Sequence, residues 1–309
     1  MLQIALVALA FWPRGTAVTE SRPLFANLSA DDIQRVTMID ENGDSIELMR
    51  QGDGWVLPTA DNFPADSERV TEILGKIAKI QTNRLIAQTE ASHKRLQVAD
   101  DDFLRRINLT RSDNTVETLF VGSSPNAQGT HVRRGGEDET YLTGEVQSWE
   151  LSPLLSGWID AVYVSLTQAD VNQVVVENGN GRLEFARVSD SEWELAELGS
   201  NDDFNQTAFT TLLNRIANLR MNAPLGKVAA AGYGFNAPQA TVTVITNDDT
   251  FTLTIGNKNE ETDTYNAKWS GSDYYVTVSS FSVEQFTTAT PSDFVQQPTP
   301  APEAVPLAP

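Results

Sequence analysis

The sequence predicts an α+β fold: two tandem copies of one module, each with antiparallel β-hairpins packed on one amphipathic helix. Three observations support this prediction. A segment that contains Glu-Asn-Gly recurs in the second half of the 309-residue chain. A helical stripe of apolar residues recurs with unchanged spacing, and so do two pairs of alternating strands separated by polar turns.

The repeated segments are ENGDSIELMRQGDGWVL, which starts at position 41, and ENGNGRLEFARVSDSEWEL, which starts at position 177. Each segment has Glu-Asn-Gly, an apolar-Glu-apolar triplet, an Arg (Arg50, Arg187) and then a Trp (Trp55, Trp193). A Trp at one repeated position favours core packing where a strand meets the helix, and stacking on a sugar is the alternative. We therefore predict that both Trp residues are structural.

The two Asn-Gly pairs, Asn42-Gly43 and Asn178-Gly179, lie between apolar runs. Asn-Gly accepts the positive φ angles of a tight hairpin turn at little cost. A calcium loop is the alternative, but an EF-hand has Gly sixth and Glu twelfth. Counted from Asp40, this segment has them fourth and eighth, and the second copy has Asn180 in place of Asp44. The pairs are therefore predicted to be structural turns that bind no metal.

Each module also contains one amphipathic helix, since apolar residues recur at helical spacing. The first stripe is Val70, Ile73, Leu74, Ile77 and Ile80. The second is Phe209, Leu212, Leu213, Ile216 and Leu219, each displaced by 139 residues. Paired strands recur beyond the helices, at 107–122 and 242–256 and again at 131–143 and 265–277. The modules are predicted at 24–166 and 167–296.

The two ends differ from the modules in composition. Leu2–Trp12 has Gln3 as its one polar residue, but it is shorter than the roughly 20 apolar residues that span a bilayer. We interpret it as part of a single transmembrane helix, with a linker up to residue 23; a short buried strand or helix is the alternative. The Pro/Ala-rich residues 297–309 are predicted to be a disordered tail.

Charge and residue usage exclude several classes of function. The net charge of −20, from 42 acidic and 22 basic residues, argues against nucleic-acid binding. The absence of Cys excludes disulfides and thiolate catalysis. His93 and His131 lie in different predicted elements, and neither a nucleophile elbow nor a phosphate loop occurs.

The acidic run 100–102 is interpreted as a cap, with a divalent-cation site as the alternative. We therefore expect no enzyme, cofactor or metal; a carboxylate-dependent hydrolase is the remote alternative.

The segment SRPLF at 21–25, the paired modules and the Tyr-Gly-Phe-Asn-Ala-Pro segment Tyr233–Pro238 together resemble the domain-of-unknown-function family 4340. The resemblance extends from Leu24 to Val295. The corresponding segment of the first module, Arg95–Asp100, has neither Gly nor Pro. The resemblance implies an extracytoplasmic protein with one N-terminal anchor, encoded beside ABC transporter subunits of the type linked to gliding motility. It implies no reaction and no catalytic residues.

The expected function is that of a non-catalytic, membrane-anchored accessory protein that docks on an ABC-type membrane complex. Candidate docking residues are Tyr233, Gly234, Phe235 and Pro238, where Gly and Pro fix an exposed turn, and Trp158 at the module junction. The alternative is an extracytoplasmic module that binds a glycan or a peptide in the cleft between the modules.

Overall fold

The computed structural model describes residues 21–126 and 129–296. The membrane segment expected at Leu2–Trp12 and the tail expected at 297–309 lie outside these residues. Among the helices that are described, none has the length and apolar character needed to cross a membrane. The chain divides into two compact units: the first ends at Trp158 and the second begins at Ile159, except that Thr59–Phe63 belongs to the second. The module limits predicted from the repeat stay a prediction.

The predicted α+β class is wrong, because the described residues are mostly β. They form two large antiparallel sheets, of nine and eight strands, and four short helices. The longest helices have 12 residues each. The sequence shows one clear helical stripe in each module, whereas several strands are only two to four residues long. Such short strands give no visible alternation, so their contribution to the sheets was underestimated.

The first sheet has the order β4-β3-β2-β1-β6-β7-β8-β9-β5. Its strands are β1 Ile33–Asp40, β2 Ser45–Gln51, β3 Gly54–Leu57, β4 Phe63–Pro64, β5 Leu85–Ala87, β6 Arg105–Arg111, β7 Val116–Val121, β8 Thr130–Arg134 and β9 Thr140–Thr143. Two helices accompany them, α1 Ser67–Ala78 and α2 Glu90–Leu96. Four residues of the stripe predicted from the sequence form the buried face of α1, while the fifth, Ile80, is buried two residues beyond the end of the helix.

The second sheet has the order β12-β11-β10-β14-β15-β16-β17-β13. Its strands are β10 Val171–Asn178, β11 Gly181–Arg187, β12 Trp193–Leu195, β13 Ala223–Gly226, β14 Ala240–Thr246, β15 Thr250–Asn259, β16 Thr264–Trp269 and β17 Tyr275–Ser279. The helices are α3 Gln206–Ala217 and α4 Ser280–Thr288. Apart from β4, each strand of the first sheet has a counterpart at the same place in the second. The two sheets therefore share one topology.

The repeated Arg occupies the same position in both units. Arg50 of β2 donates from Nε to the carbonyl oxygen of Ile33 at 3.1 Å and from Nη2 to that of Ala30 at 2.9 Å. Its guanidinium carbon lies 4.9 Å from the ring centre of Trp55. The side chain thus connects β2 to the start of β1, the short 3-10 turn before it, and the Trp of β3. We call this arrangement the Arg–Trp clamp.

The second unit repeats both hydrogen bonds and the ring contact of the Arg–Trp clamp. Arg187 donates from Nε to the carbonyl oxygen of Val171 at 2.7 Å and from Nη2 to that of Gln168 at 2.6 Å. Its guanidinium carbon lies 4.6 Å from the ring centre of Trp193. Trp55 and Trp193 are 2% and 7% exposed, so neither ring offers a face for stacking on a sugar.

The helix of each unit is joined to the Trp strand by side-chain hydrogen bonds. In the first unit the Ser67 hydroxyl accepts from the backbone N–H of Trp55 at 2.9 Å. In the second, Gln206 accepts from the N–H of Trp193 at 3.2 Å and donates to its carbonyl oxygen at 2.7 Å. Because these residues start α1 and α3, the hydrogen bonds place each helix N-terminus against the same point of its sheet.

The two Asn-Gly turns differ from each other in geometry. Gly43 has φ +87°, and the Asp40 carboxylate accepts from the N–H groups of Asn42 and Asp44. In the second copy the prediction was displaced by one position: Asn178 is still paired within β10, and the turn residues are 179 and 180. There the positive φ, +130°, falls at Gly181 and not at Gly179.

Replacing Arg187 by Met should lower the free energy of unfolding by about 2–4 kcal/mol, because three charge-assisted hydrogen bonds, to the carbonyl oxygens of Gln168, Val171 and Asp190, and the contact with Trp193 are lost. Urea unfolding followed by Trp fluorescence measures the change. Arg182→Met is the matched control on the same strand. Arg182 is half exposed and forms ion pairs with Glu177 and Glu184, so its loss should cost no more than about 0.5 kcal/mol. Equal effects of the two substitutions would contradict the clamp.

Replacing Gly43 by Val should destabilise the first unit by roughly 1–3 kcal/mol, the cost of holding a β-branched residue at positive φ. No atom lies within 4 Å of the Cβ position, so the effect isolates backbone strain from crowding. Gly179→Val is the control, because that site is equally open and its φ lies outside the left-handed range. Thermal unfolding compares the two variants, and an equal loss in both would refute the assignment of the strained position.

Candidate binding groove of the second unit

Each histidine has a ring nitrogen at hydrogen-bond distance from a backbone carbonyl oxygen of the first unit. His93, on α2, is buried, and its Nε2 lies 2.7 Å from the carbonyl oxygen of Asp138. The buried His131 places Nδ1 2.6 Å from the carbonyl oxygen of Ser123. Over residues 21–126 and 129–296, no group of three or more His, Asp or Glu side chains is placed to hold a metal ion.

The acidic run at 100–102 takes part in ion pairs and a local turn. Asp100 pairs with Arg133 at 3.0 Å and Asp101 with Lys94 at 3.2 Å. The carbonyl oxygen of Asp102 accepts from the N–H of Ala99. The Arg133 side chain is itself 3% exposed and donates further to the carbonyl oxygens of Val98 and Glu137. The Asp100 and Asp101 carboxylates therefore neutralise neighbouring cations, and the predicted cap stays a prediction.

Trp158, one of the predicted docking residues, does not present its ring at the surface. It is 1% exposed, and its indole N–H donates to the carbonyl oxygen of Ser152 at 2.8 Å. The Arg69 guanidinium lies 5.2 Å from its ring centre. The sequence shows an aromatic residue near the module junction, but it does not reveal that this residue is buried in the first unit.

The other predicted docking residues form one turn on the second unit. A 3-10 turn at Ala231–Tyr233 ends at Gly234, whose φ is +83°. The rings of Tyr233 and Phe235 lie 6.0 Å and 5.2 Å from that of Tyr275 on β17. Both rings are partly exposed, and Pro238 is exposed. Structure and sequence agree that this segment is a surface turn; the Tyr275 contact was not predicted.

The turn is held in place by amide side chains of the neighbouring strands. Asn257 donates to the carbonyl oxygen of Gly232 at 3.0 Å, and Asn266 donates to that of Asn257 at 3.3 Å. The backbone of Tyr233 runs so close to β15 that a Cβ at Gly256 would overlap its carbonyl oxygen. The first unit has the same constraint: a Cβ at Gly122 would overlap a carbonyl oxygen of α2.

A groove of about 950 Å³ opens between this turn, the β15–β16 hairpin and the edge strand β13. Its lining is rich in amide and hydroxyl side chains, namely Asn222, Asn257, Asn259, Asn266, Thr262, Thr264 and Thr277. Tyr233 contributes the aromatic surface, and Leu225 and Ala230 the apolar part. Concave sites with a few convergent polar groups are typical of ligand binding.

The one basic side chain among the described residues that line the groove is paired with carboxylates. Lys258 lies 3.0 Å from Asp263 and 3.2 Å from Glu260. Hydrogen bonds to these two carboxylates raise the pKa of Lys258 above its ordinary value, so its ammonium group stays protonated and paired. The Asp263 pKa is lowered, first by its hydrogen bond with the Ser280 side chain and then by Lys258. The groove therefore has no free cation to attract an anionic ligand.

The groove depends on features that the second unit does not share with the first. Between β5 and β6 the first unit forms α2, which buries His93, whereas the second unit forms the shorter 3-10 turn. In addition, β15 has 10 residues while its counterpart β7 has six. The extension carries Asn257 and Asn259. These groove residues were not predicted from the sequence, although the amide-rich run Asn257–Asn259 directly after a predicted strand was a usable signal.

The fold and the groove define a tandem-repeat, mostly β protein with a surface suited to binding. The chain belongs to the family described as Domain of unknown function (DUF4340), whose model matches residues 55–232. The resemblance recognised in the sequence is thereby confirmed, although the matched range ends one residue before Tyr233. No curated protein and no solved structure matches the chain at a significant level.

Replacing Gly256 by Ala should displace the Tyr233 turn, because the new methyl group overlaps its carbonyl oxygen and the backbone must move. Hydrogen exchange at the Tyr233 amide, which donates to the carbonyl oxygen of Ala230, should become faster. Gly232→Ala is the control in the same turn, since nothing lies within 4 Å of its Cβ position and its φ is not left-handed. Unchanged exchange in the Gly256 variant would show that the close approach does not fix the turn.

Proposed function

We propose that the protein is a non-catalytic accessory protein, anchored in the cell membrane through the segment that contains Leu2–Trp12, with its body extracytoplasmic. It docks on an integral membrane complex of the ABC type. Membership of the family supports this proposal through the gene neighbourhood that the resemblance implies. The apolar segment, ending in Phe-Trp ahead of an acidic body, supports the anchor.

The observation that carries the docking proposal is the rigid aromatic turn Tyr233–Pro238. Its backbone is fixed by the left-handed Gly234 and by the close approach to Gly256, while Pro238 is exposed. A surface that is already ordered loses little conformational entropy when a partner binds. Aromatic side chains beside such a surface are the residues that most often dominate binding energy.

Two further observations support a role in holding a partner. Both histidines are bonded to backbone carbonyls, and Asp100 and Asp101 of the acidic run are paired with basic residues. The net charge of −20 is repelled by anionic lipid headgroups. Attachment to a membrane therefore requires an apolar anchor or a protein partner rather than a charged surface.

A second candidate function is favoured by the groove beside the turn. A site of about 950 Å³ with several amide side chains and one aromatic ring suits an extracytoplasmic ligand-binding protein. This candidate uses the same unit of the protein and shares Tyr233 with the docking turn, but its other residues differ. Phe235 and Pro238 belong to the proposed docking surface, whereas Asn222 and Asn257 line the groove.

Site-specific photo-cross-linking tests the docking proposal. The chain is expressed with its natural upstream sequence, and a benzophenone amino acid replaces Pro238. Val188, 59% exposed on the same unit, is replaced in the matched control. We expect the protein in the membrane fraction, and an adduct with an integral membrane protein from position 238 that is absent or much weaker from position 188.

Two results would refute the proposal. Recovery of all the protein in the soluble fraction would exclude the anchor. Membrane recovery with equal adducts from the two positions, or with none from position 238, would exclude the turn as the docking surface.

A further inference from the structure

We propose that the groove of the second unit binds a neutral oligosaccharide. This inference deepens the ligand-binding candidate and rests on it, and it is independent of docking through Pro238. The groove is formed by the Tyr233 turn, the β15–β16 hairpin and strand β13. Its volume of about 950 Å³ is at the upper end of the roughly 300–1,000 Å³ typical of ligand sites, so it is large enough for more than one sugar ring.

The polar groups left available in the groove are mainly neutral acceptors. Asn257 and Asn266 use their amide N–H groups to hold backbone carbonyls. The Oδ1 atom of Asn266 is thereby left as an acceptor for a ligand, whereas that of Asn257 lies against Gly234. The Asn222 side chain, also exposed, makes no hydrogen bond with the residues that the structure describes. Sugar hydroxyls supply matching donors and can also accept from an amide N–H.

Tyr233 gives the groove an aromatic surface. Its ring lines the groove and is only partly buried, and contacts with Phe235 and Tyr275 at ring-centre distances of 6.1 Å and 6.0 Å hold its orientation. A ring of this kind offers an apolar face together with a polar hydroxyl. The C–H face of a pyranose is a suitable partner for the apolar face, while its hydroxyls reach the surrounding amides.

The charge distribution argues that the ligand is uncharged. Lys258 is paired with two carboxylates, and Glu260 and Glu261 lie at the same groove. Phosphate, sulfate and uronate groups would meet this net negative potential without a free cation. A cationic ligand would find one carboxylate at the groove without an ion pair among the described residues, that of Glu261, because those of Glu260 and Asp263 are engaged by Lys258.

An extended peptide is a less suitable occupant than a sugar chain. Peptides commonly bind beside a sheet by adding a strand to an open edge. The edge strand at this groove, β13, contains Pro224, which has no backbone N–H to offer to a further strand. The apolar lining, limited to Leu225 and Ala230 beside the Tyr ring, also provides little volume for peptide side chains.

Isothermal titration calorimetry on the full chain tests the inference. The probes are maltotriose, cellotriose, chitotriose and mannotriose at millimolar concentration, with trigalacturonate as the charged comparison and tetra-alanine as the peptide comparison. We expect binding of at least one neutral trisaccharide, and weaker or no binding of the other two probes. Asn222→Ala and Tyr233→Ala should each weaken that binding by roughly tenfold or more, and Tyr233→Phe should largely retain it.

Asn172→Ala is the matched control, because Asn172 lies on β10 and bonds to Asn247, outside the groove. It should bind as the unchanged chain does. Three results would each overturn the inference: no heat from any neutral trisaccharide, tighter binding of trigalacturonate or tetra-alanine, or binding that neither Asn222→Ala nor Tyr233→Ala weakens. Photo-cross-linking from position 238 in the Asn222→Ala chain separates the proposals, since docking should survive when sugar binding is lost.

Discussion

Each sheet depends on one arginine that lies on the second strand of its unit and stacks on a tryptophan. Arg50 and Arg187 present the planar guanidinium group to a Trp ring. The edge of that group bonds the carbonyl oxygens at the start of β1 and β10 and in the 3-10 turn before each strand. Lysine could not do both, because it lacks the planar fork of donors. The clamp therefore fixes three consecutive elements relative to the sheet, and the Trp strand in turn receives the helix N-terminus.

Because this framework is the same in both units, the differences between them concentrate in the loops that it supports. The first unit fills the space between β5 and β6 with a helix, and Gly122, directly after β7, lets that helix approach. The second unit keeps the equivalent glycine but replaces the helix by a tight aromatic turn and lengthens β15. Both candidate functions, docking and sugar binding, belong to the unit in which the loops have changed.

The repeat, the buried stripe of α1 and the burial of both Trp residues could be predicted, since displacement and helical period are visible in one sequence. The fold class could not, because strands as short as β4 and β12 show no alternation. The turn after Asn178 was displaced because pairing continues to that residue and moves the positive φ to Gly181. The groove was missed because Asn222, Asn257 and Asn266 come from separate elements, and only strand pairing brings them together.

Hydrogen exchange resolved by residue in the Arg50→Met and Arg187→Met chains tests most directly whether the same clamp holds each unit. The account predicts faster exchange of the β1 amides in the first variant and of the β10 amides in the second, with the other sheet unchanged in each. Slow exchange in both sheets of both variants would contradict the claim that the clamps fix β1 and β10. Equal acceleration of both sheets by either substitution would contradict the claim that each clamp acts within its own unit.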